Sequence, residues 1–168
     1  MSKAAAFFDR DGTLNIDKGY VYKKSDFVWI PGAKKAIKYL NDNEYNVIVV
    51  TNQSGIARDY FAEKDVDALH SFMNTQLSKI SAHIDDFYYS PYHPNINNSK
   101  YKNLSYLRKP NIGMLELAEK KWNFDKTKSF MIGDKLSDVE CAKNFGIRGL
   151  KFSGGNLFDF ILKEIDLK

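Results

Sequence analysis

Short apolar runs alternate with longer amphipathic ones along almost the whole chain. This alternation restricts the fold more than any other feature, because it is the pattern of strands interleaved with helices. The strand candidates are "AAAFFD" (4–9), "NVIVVTN" (46–52), "DDFYYS" (85–90), "SFMIGD" (129–134) and "RGLKF" (148–152). At helical spacing, "GAKKAIKYLND" from Gly32 places Ala33, Ala36, Ile37 and Leu40 on one stripe, and "AEKDVDALHSFMNTQLSKI" does the same with Val66, Leu69, Phe72, Met73 and Leu77. "IGMLELAEKKW", "LSDVECAKNF" and "NLFDFILKEI" are the remaining helices, while residues 12–31 and 91–108 show no clear period. The expected architecture is α/β: a single domain over 1–168 with one doubly wound, mostly parallel sheet flanked by helices. A chain of 168 residues, 43% of them hydrophobic, fills one core and leaves no room for a large cap domain.

Lys and Arg number 25 against 21 Asp and Glu, for a net charge of +4. Lys outnumbers Arg and Asn is abundant, so the excess reads as compositional bias, not as the footprint of a nucleic-acid partner. Cys141 is the only cysteine, which excludes an intrachain disulfide and a cysteine-rich metal cluster. "MSKAA" leads directly into the first strand without a signal-like segment, and no apolar run approaches the ~20 residues of a membrane span. The expectation is a cytoplasmic monomer with no membrane and no nucleic-acid partner.

The stretch "FFDRDGTLN" (7–15) ends an apolar run with two carboxylates around an arginine. Side chains at i and i+2 of a strand project to the same side, so Asp9 and Asp11 are expected to face one site while Arg10 points away. Like charges held that close require a cation, or require one group to stay protonated. In a parallel sheet, ligands bind outside the carboxyl ends of the strands. That edge would collect Asp9, Thr51 with Asn52, Gly133 with Asp134, and the loop carrying Arg108 and Lys109.

Together, "DRDGT" (9–13), "VVTNQSG" (49–55), "RKP" (108–110) and "GDKLSD" (133–138) resemble, in order and spacing, the four motifs of the haloacid dehalogenase superfamily of phosphohydrolases, which have a Rossmann-like fold. The resemblance implies that Asp9 attacks phosphorus to form an aspartyl phosphate, and that Asp11 protonates the leaving oxygen and later takes a proton from water. Lys109 and Thr51 would stabilise the transferring group, and Gly12 would let the backbone turn beside the ligand. Mg²⁺ is implied, held by Asp9, the backbone carbonyl of Asp11, and Asp134. Asp138 is open between a helix cap and a partner of Lys109 or of a metal-bound water. His70, His83 and His93 lack metal-ligand spacing and read as core or surface residues.

Within the superfamily, "FFDRDGTLNIDKGYV", "VVTNQSGIAR", "RKPNIGM" and "MIGDKLSDVECA" resemble the D-glycero-D-manno-heptose 1,7-bisphosphate 7-phosphatases, relatives of the histidinol-phosphate phosphatases. That family implies a sugar bisphosphate substrate, contacted by Asp17, Lys18, Gly19 and Tyr20. Thr51, Asn52, Gln53 and Ser54 would form the phosphate-binding turn, with further contacts from Arg108, Lys109 and Lys135. The family commonly binds a structural zinc before "RKP", but the four ligand positions read Ser90, Tyr92, Ser105 and Leu107. No zinc is expected, and tyrosines in "YYSPYHP" and "YKNLSYL" are candidates to order the loop instead. Histidinol phosphate, 3′-phosphorylated DNA and non-catalytic sugar-phosphate binding are the rival readings.

Overall fold

The computed structural model describes residues 2–165. Strands β1 (Ala5–Phe8), β2 (Asn46–Asn52), β3 (Asp86–Ser90), β4 (Phe130–Gly133) and β5 (Arg148–Lys151) alternate with helices α1 (Ala33–Asp42), α2 (Glu63–Ser78), α3 (Gly113–Trp122), α4 (Leu136–Phe145) and α5 (Leu157–Glu164). The five strands form one sheet in the order β3-β2-β1-β4-β5, and every pairing is parallel. This is the expected doubly wound, Rossmann-like arrangement, with each observed element within a few residues of its predicted bounds.

The faces of the sheet separate by the period of two that strands impose. Ala6, Phe8, Val47, Val49 and Ile132 bury one face against Ala36, Ile37 and Leu40 of α1 and Leu69, Met73 and Leu77 of α2. Ala5, Phe7, Ile48, Val50 and Met131 bury the other against Met114, Leu115 and Ala118 of α3 and Cys141, Ala142 and Phe145 of α4. The central strands are therefore apolar on both sides and read as continuous runs. On α2, Phe72 is only half-buried, whereas His70 is buried. Helix α5 returns to the first face, burying Leu157 and Ile161, and the Asn156 side chain caps it by accepting the Phe158 and Asp159 amides at 3.0 and 3.2 Å.

The two aperiodic stretches are loops with little regular structure. Residues 12–31 hold a single 3-10 turn at Lys24–Asp26 and the bridges Asp11–Asn15 and Asn15–Trp29. Residues 91–108 hold a 3-10 segment at Lys102–Leu107. Among the described residues, no helix is long and apolar enough to cross a membrane.

Candidate active site

β1 and β4 lie side by side in the sheet, and each delivers an aspartate one residue past its end: Asp9 after Phe8 and Asp134 after Gly133. Asp138 sits in the first turn of α4, directly behind Asp134. Oxygens of Asp9, Asp134 and Asp138 all lie within 4.8 Å of one another. Lys109 enters this group from the loop before α3, its Nζ 2.8 Å from Asp9 Oδ1, 2.7 Å from Asp138 Oδ1 and 2.7 Å from the Val50 carbonyl. Asp138 also accepts the Lys135 N–H at 3.0 Å through Oδ2, so it is both the cap of α4 and the partner of Lys109.

The site is buried and short of positive charge. Burial pushes the Asp9 carboxyl up to about 7, opposed by Lys109 and reinforced by Asp138 and Asp11. For Lys109 burial works against the ammonium, but the facing carboxylates of Asp9 and Asp138 outweigh it and hold its pKa above the ordinary value. Lys109 is therefore charged, yet it is one cation among three carboxylates. Asp134 Oδ1 is buried without a hydrogen-bond partner, an arrangement that costs free energy unless a cation meets it. An all-oxygen set of this kind fits Mg²⁺.

Two glycines make the approach of these carboxylates possible. Gly12 has φ +84°, and a Cβ there would lie 2.3 Å from Asp134 Oδ2; a Cβ on Gly133 would lie 2.2 Å from Asp138 Cγ. Gly12 thus does more than turn the chain, since it also clears space for Asp134.

Asp11 is near enough to Asp9 to raise its carboxyl, yet it stands outside the cluster of Asp9, Asp134 and Asp138. Its carboxylate accepts from Arg10 Nη2 at 3.1 and 3.2 Å, from Asn15 Nδ2 at 3.0 Å and from Gln53 Nε2 at 2.9 Å. Arg10 does not point away. It is fully buried, and a guanidinium removed from water must find an anion, which here is its own neighbour. Arg10 Nη1 lies 3.3 Å from His70 Nε2, and burial followed by Arg10's charge holds His70 well below the usual histidine pKa.

The other predicted residues divide into two groups. Thr51 is buried and its Oγ1 accepts from Gln53 Nε2 at 2.9 Å. Asn52 turns from the expected substrate position to the backbone of Lys109, donating to its carbonyl at 3.2 Å and accepting its N–H at 3.0 Å. Residues 17–20 form an exposed turn in which Asp17 Oδ1 accepts the Gly19 N–H at 2.9 Å. Tyr20 from that turn meets Tyr60 edge-on, ring centroids 4.9 Å apart. Ser54 is half-buried and Lys135 exposed. Arg108 Nη1 donates to the Tyr92 carbonyl at 3.2 Å, and burial followed by repulsion from Arg58 lowers its pKa. Arg58 and Tyr60 escaped the sequence reading, the "GIAR" run being the available signal for Arg58; His70 is the buried core histidine expected, but its contact with Arg10 was not foreseen.

Where zinc ligands would stand, Ser90 and Leu107 are buried, and Tyr101 packs into a separate cluster with Ile56, Ala57, Phe61 and Val66. Tyr89 packs on that cluster, whereas Tyr106 is exposed.

The sequence matches the family described as polynucleotide kinase 3 phosphatase over residues 4–156. It is 42% identical over 163 residues to the D-glycero-beta-D-manno-heptose-1,7-bisphosphate 7-phosphatase of Rhodopseudomonas palustris, covering 97% of this chain and 90% of that protein. Its fold resembles a HAD-like phosphatase from Mesorhizobium loti, with a TM-score of 0.84, 34% identity, and coverage of 92% of this chain and 74% of the other. It also resembles D,D-heptose 1.7-bisphosphate phosphatase from B. bronchiseptica complexed with magnesium and phosphate, with a TM-score of 0.78, 26% identity, and coverage of 95% and 86%.

Proposed function

From the premise that this chain belongs to the polynucleotide kinase 3 phosphatase family and to the heptose 1,7-bisphosphate 7-phosphatases of the haloacid dehalogenase superfamily, we propose that it removes the 7-phosphate of D-glycero-β-D-manno-heptose 1,7-bisphosphate. The observation that carries the chemistry is the trio Asp9, Asp134 and Asp138 around Lys109 with Asp134 Oδ1 unpartnered. A site this rich in carboxylate and short of positive charge suits a cation, and through that cation an anionic phosphoryl group. The β anomer follows the substrate named for the R. palustris relative.

Asp9 attacks phosphorus, forming an Oδ–P bond as the bond to the sugar oxygen breaks. Asp11 gives its proton to that departing oxygen, and then takes one from the water that cleaves the acyl phosphate, so the enzyme returns to its starting state. Lys109, kept charged by Asp9 and Asp138, neutralises the phosphoryl oxygens, and Thr51 adds a hydroxyl donor. Asp9, Asp134 and the Asp11 carbonyl would hold Mg²⁺, with Asp138 behind them; the ion would supply Lewis-acid neutralisation of the phosphate. Asn52 positions Lys109 through its backbone. The exposed turn 17–20, Ser54, Arg108 and Lys135 are read as contacts to the sugar and its phosphates, and Arg58, close enough to Arg108 to lower its pKa, suits a second phosphate.

All of these residues come from one copy of the chain, which supports action as a single-domain monomer, and the substrate class supports a cytoplasmic setting. The apolar packing of Tyr101 supports a loop ordered without zinc. The family match to polynucleotide kinase 3 phosphatase motivates one rival substrate, 3′-phosphorylated DNA.

Phosphate release with Mg²⁺ should be measured on both anomers of the heptose bisphosphate, on histidinol phosphate and on a 3′-phosphorylated oligonucleotide. The β-heptose bisphosphate is expected to lead in kcat/KM by at least ~10-fold, and Asp9→Asn to lower kcat by at least ~10³-fold. A preference for histidinol phosphate or for DNA would refute the substrate, and an active Asp9→Asn enzyme would refute the nucleophile.

A further inference from the structure

We propose that His70, through Arg10, is a positioning residue for the proton transfer made by Asp11: it fixes the plane of the Arg10 guanidinium and thereby the direction in which the Asp11 carboxylate is presented. The inference rests on Asp11 being the general acid, as read above.

Arg10 is fully buried, and its guanidinium is held from two ends. Nη2 donates to both oxygens of Asp11 at 3.1 and 3.2 Å and to the Val21 carbonyl. Nη1 faces His70 Nε2 at 3.3 Å. Arginine has donors only, so Nε2 must be the acceptor, and the proton of a neutral His70 sits on Nδ1. The ring is itself immobilised. It stacks on Phe87 of β3 with centroids 4.3 Å apart and planes 13° from parallel, and Tyr89 approaches at 6.2 Å.

A planar group held at both ends cannot rotate, so the Asp11 oxygens it grips are fixed with it. Asn15 and Gln53 bind the same carboxylate at 3.0 and 2.9 Å, but neither touches His70's end of the guanidinium. An α2 side chain whose hydrogen bond is to Arg10 and not to Asp11 therefore controls one end of the proton donor's support. A buried arginine bound only for stability would show no dependence on the leaving group; a positioning chain would.

The test compares phenyl phosphate with p-nitrophenyl phosphate. Their leaving groups differ in basicity, and only the more basic one needs a proton as it departs. The rate of aryl oxide release in the first turnover is measured for the Mg²⁺-loaded enzyme, isolating formation of the phosphoenzyme. Asp11→Asn serves as the reference and should slow phenyl phosphate at least ~10-fold more than p-nitrophenyl phosphate. His70→Leu should show the same selective loss with KM little changed. His70→Gln, whose Oε1 can still accept from Arg10, should stay within ~3-fold of wild type on both. Should His70→Leu fail to fold, His70→Asn, polar but too short to reach Nη1, replaces it with the same expectation.

Nitrogen chemical shifts of His70 in the unloaded protein supply a second readout and should show a protonated Nδ1 and a bare Nε2. Equal losses on both substrates, no loss, or a protonated Nε2 would overturn the proposal while leaving the role of Asp11 standing. Absence of a selective loss in Asp11→Asn would overturn both. The substrate assignment is untouched either way, since neither probe is a sugar phosphate.

Discussion

Gly12 and Asp138 show how much of this site depends on single atoms. A methyl group on Gly12 would fall 2.3 Å from Asp134 Oδ2, at a φ of +84° that disfavours any side chain. Gly12→Ala is therefore expected to displace Asp134, weaken Mg²⁺ binding at least ~10-fold and destabilise the protein by about 1–3 kcal/mol. Metal titration calorimetry and urea unfolding would check both parts; unchanged affinity would show that Asp134 is not a ligand. The sequence already marked Gly12 as a turn residue, but the carboxylate it accommodates belongs to β4's far end and could not be paired with it from spacing. Asp138 was legible as either cap or partner, and it is both because its two oxygens face different ways.

At the scale of elements, the segment 91–107 holds three of the four positions, Tyr92, Ser105 and Leu107, where the resemblance would place zinc ligands. It is tied down by the buried ring of Tyr101 among Ile56, Phe61 and Val66, by Asn98 donating to the Ala57 carbonyl at 3.3 Å, and by Arg108 on the Tyr92 carbonyl. These ties run to the post-β2 segment, to α2 through Val66, and to Arg108 at the loop's own end, and side-chain packing thus anchors it. Tyr101→Ala should cost about 2–4 kcal/mol and raise KM, because the loop leads into Arg108. A zinc chelator should leave the melting temperature unchanged. A melting temperature that fell with the chelator and recovered with zinc would contradict the zinc-free reading. Tyrosine packing was foreseen here, yet Tyr101 meets residues from the post-β2 segment and α2, partners that only the folded chain reveals.

At the scale of the molecule, β1 is the sheet's central strand with β4 beside it, and the carboxylates just past their ends repel one another. Folding forces that repulsion, so a bound cation should stabilise the whole fold. At ~100-fold excess over its dissociation constant, Mg²⁺ should add about 2.7 kcal/mol to unfolding stability. Asp134→Asn should remove that increment, and thermal or urea unfolding with and without Mg²⁺ would measure it. An equal Mg²⁺ effect in both proteins would place the ion elsewhere.

Patterns of two and 3.6 residues, together with the order of "DRDGT", "TNQSG", "RKP" and "GDKLSD", were enough to establish five strands, five helices and the edge where chemistry gathers, because periodicity and strand ends are local properties of a chain. Which groups touch is not local. The grip of buried Arg10 on Asp11, its contact with His70 from α2, and the turn of Asn52 toward Lys109's backbone were decided only by tertiary structure, since a buried charge or amide must take whatever partner the packed interior brings within reach.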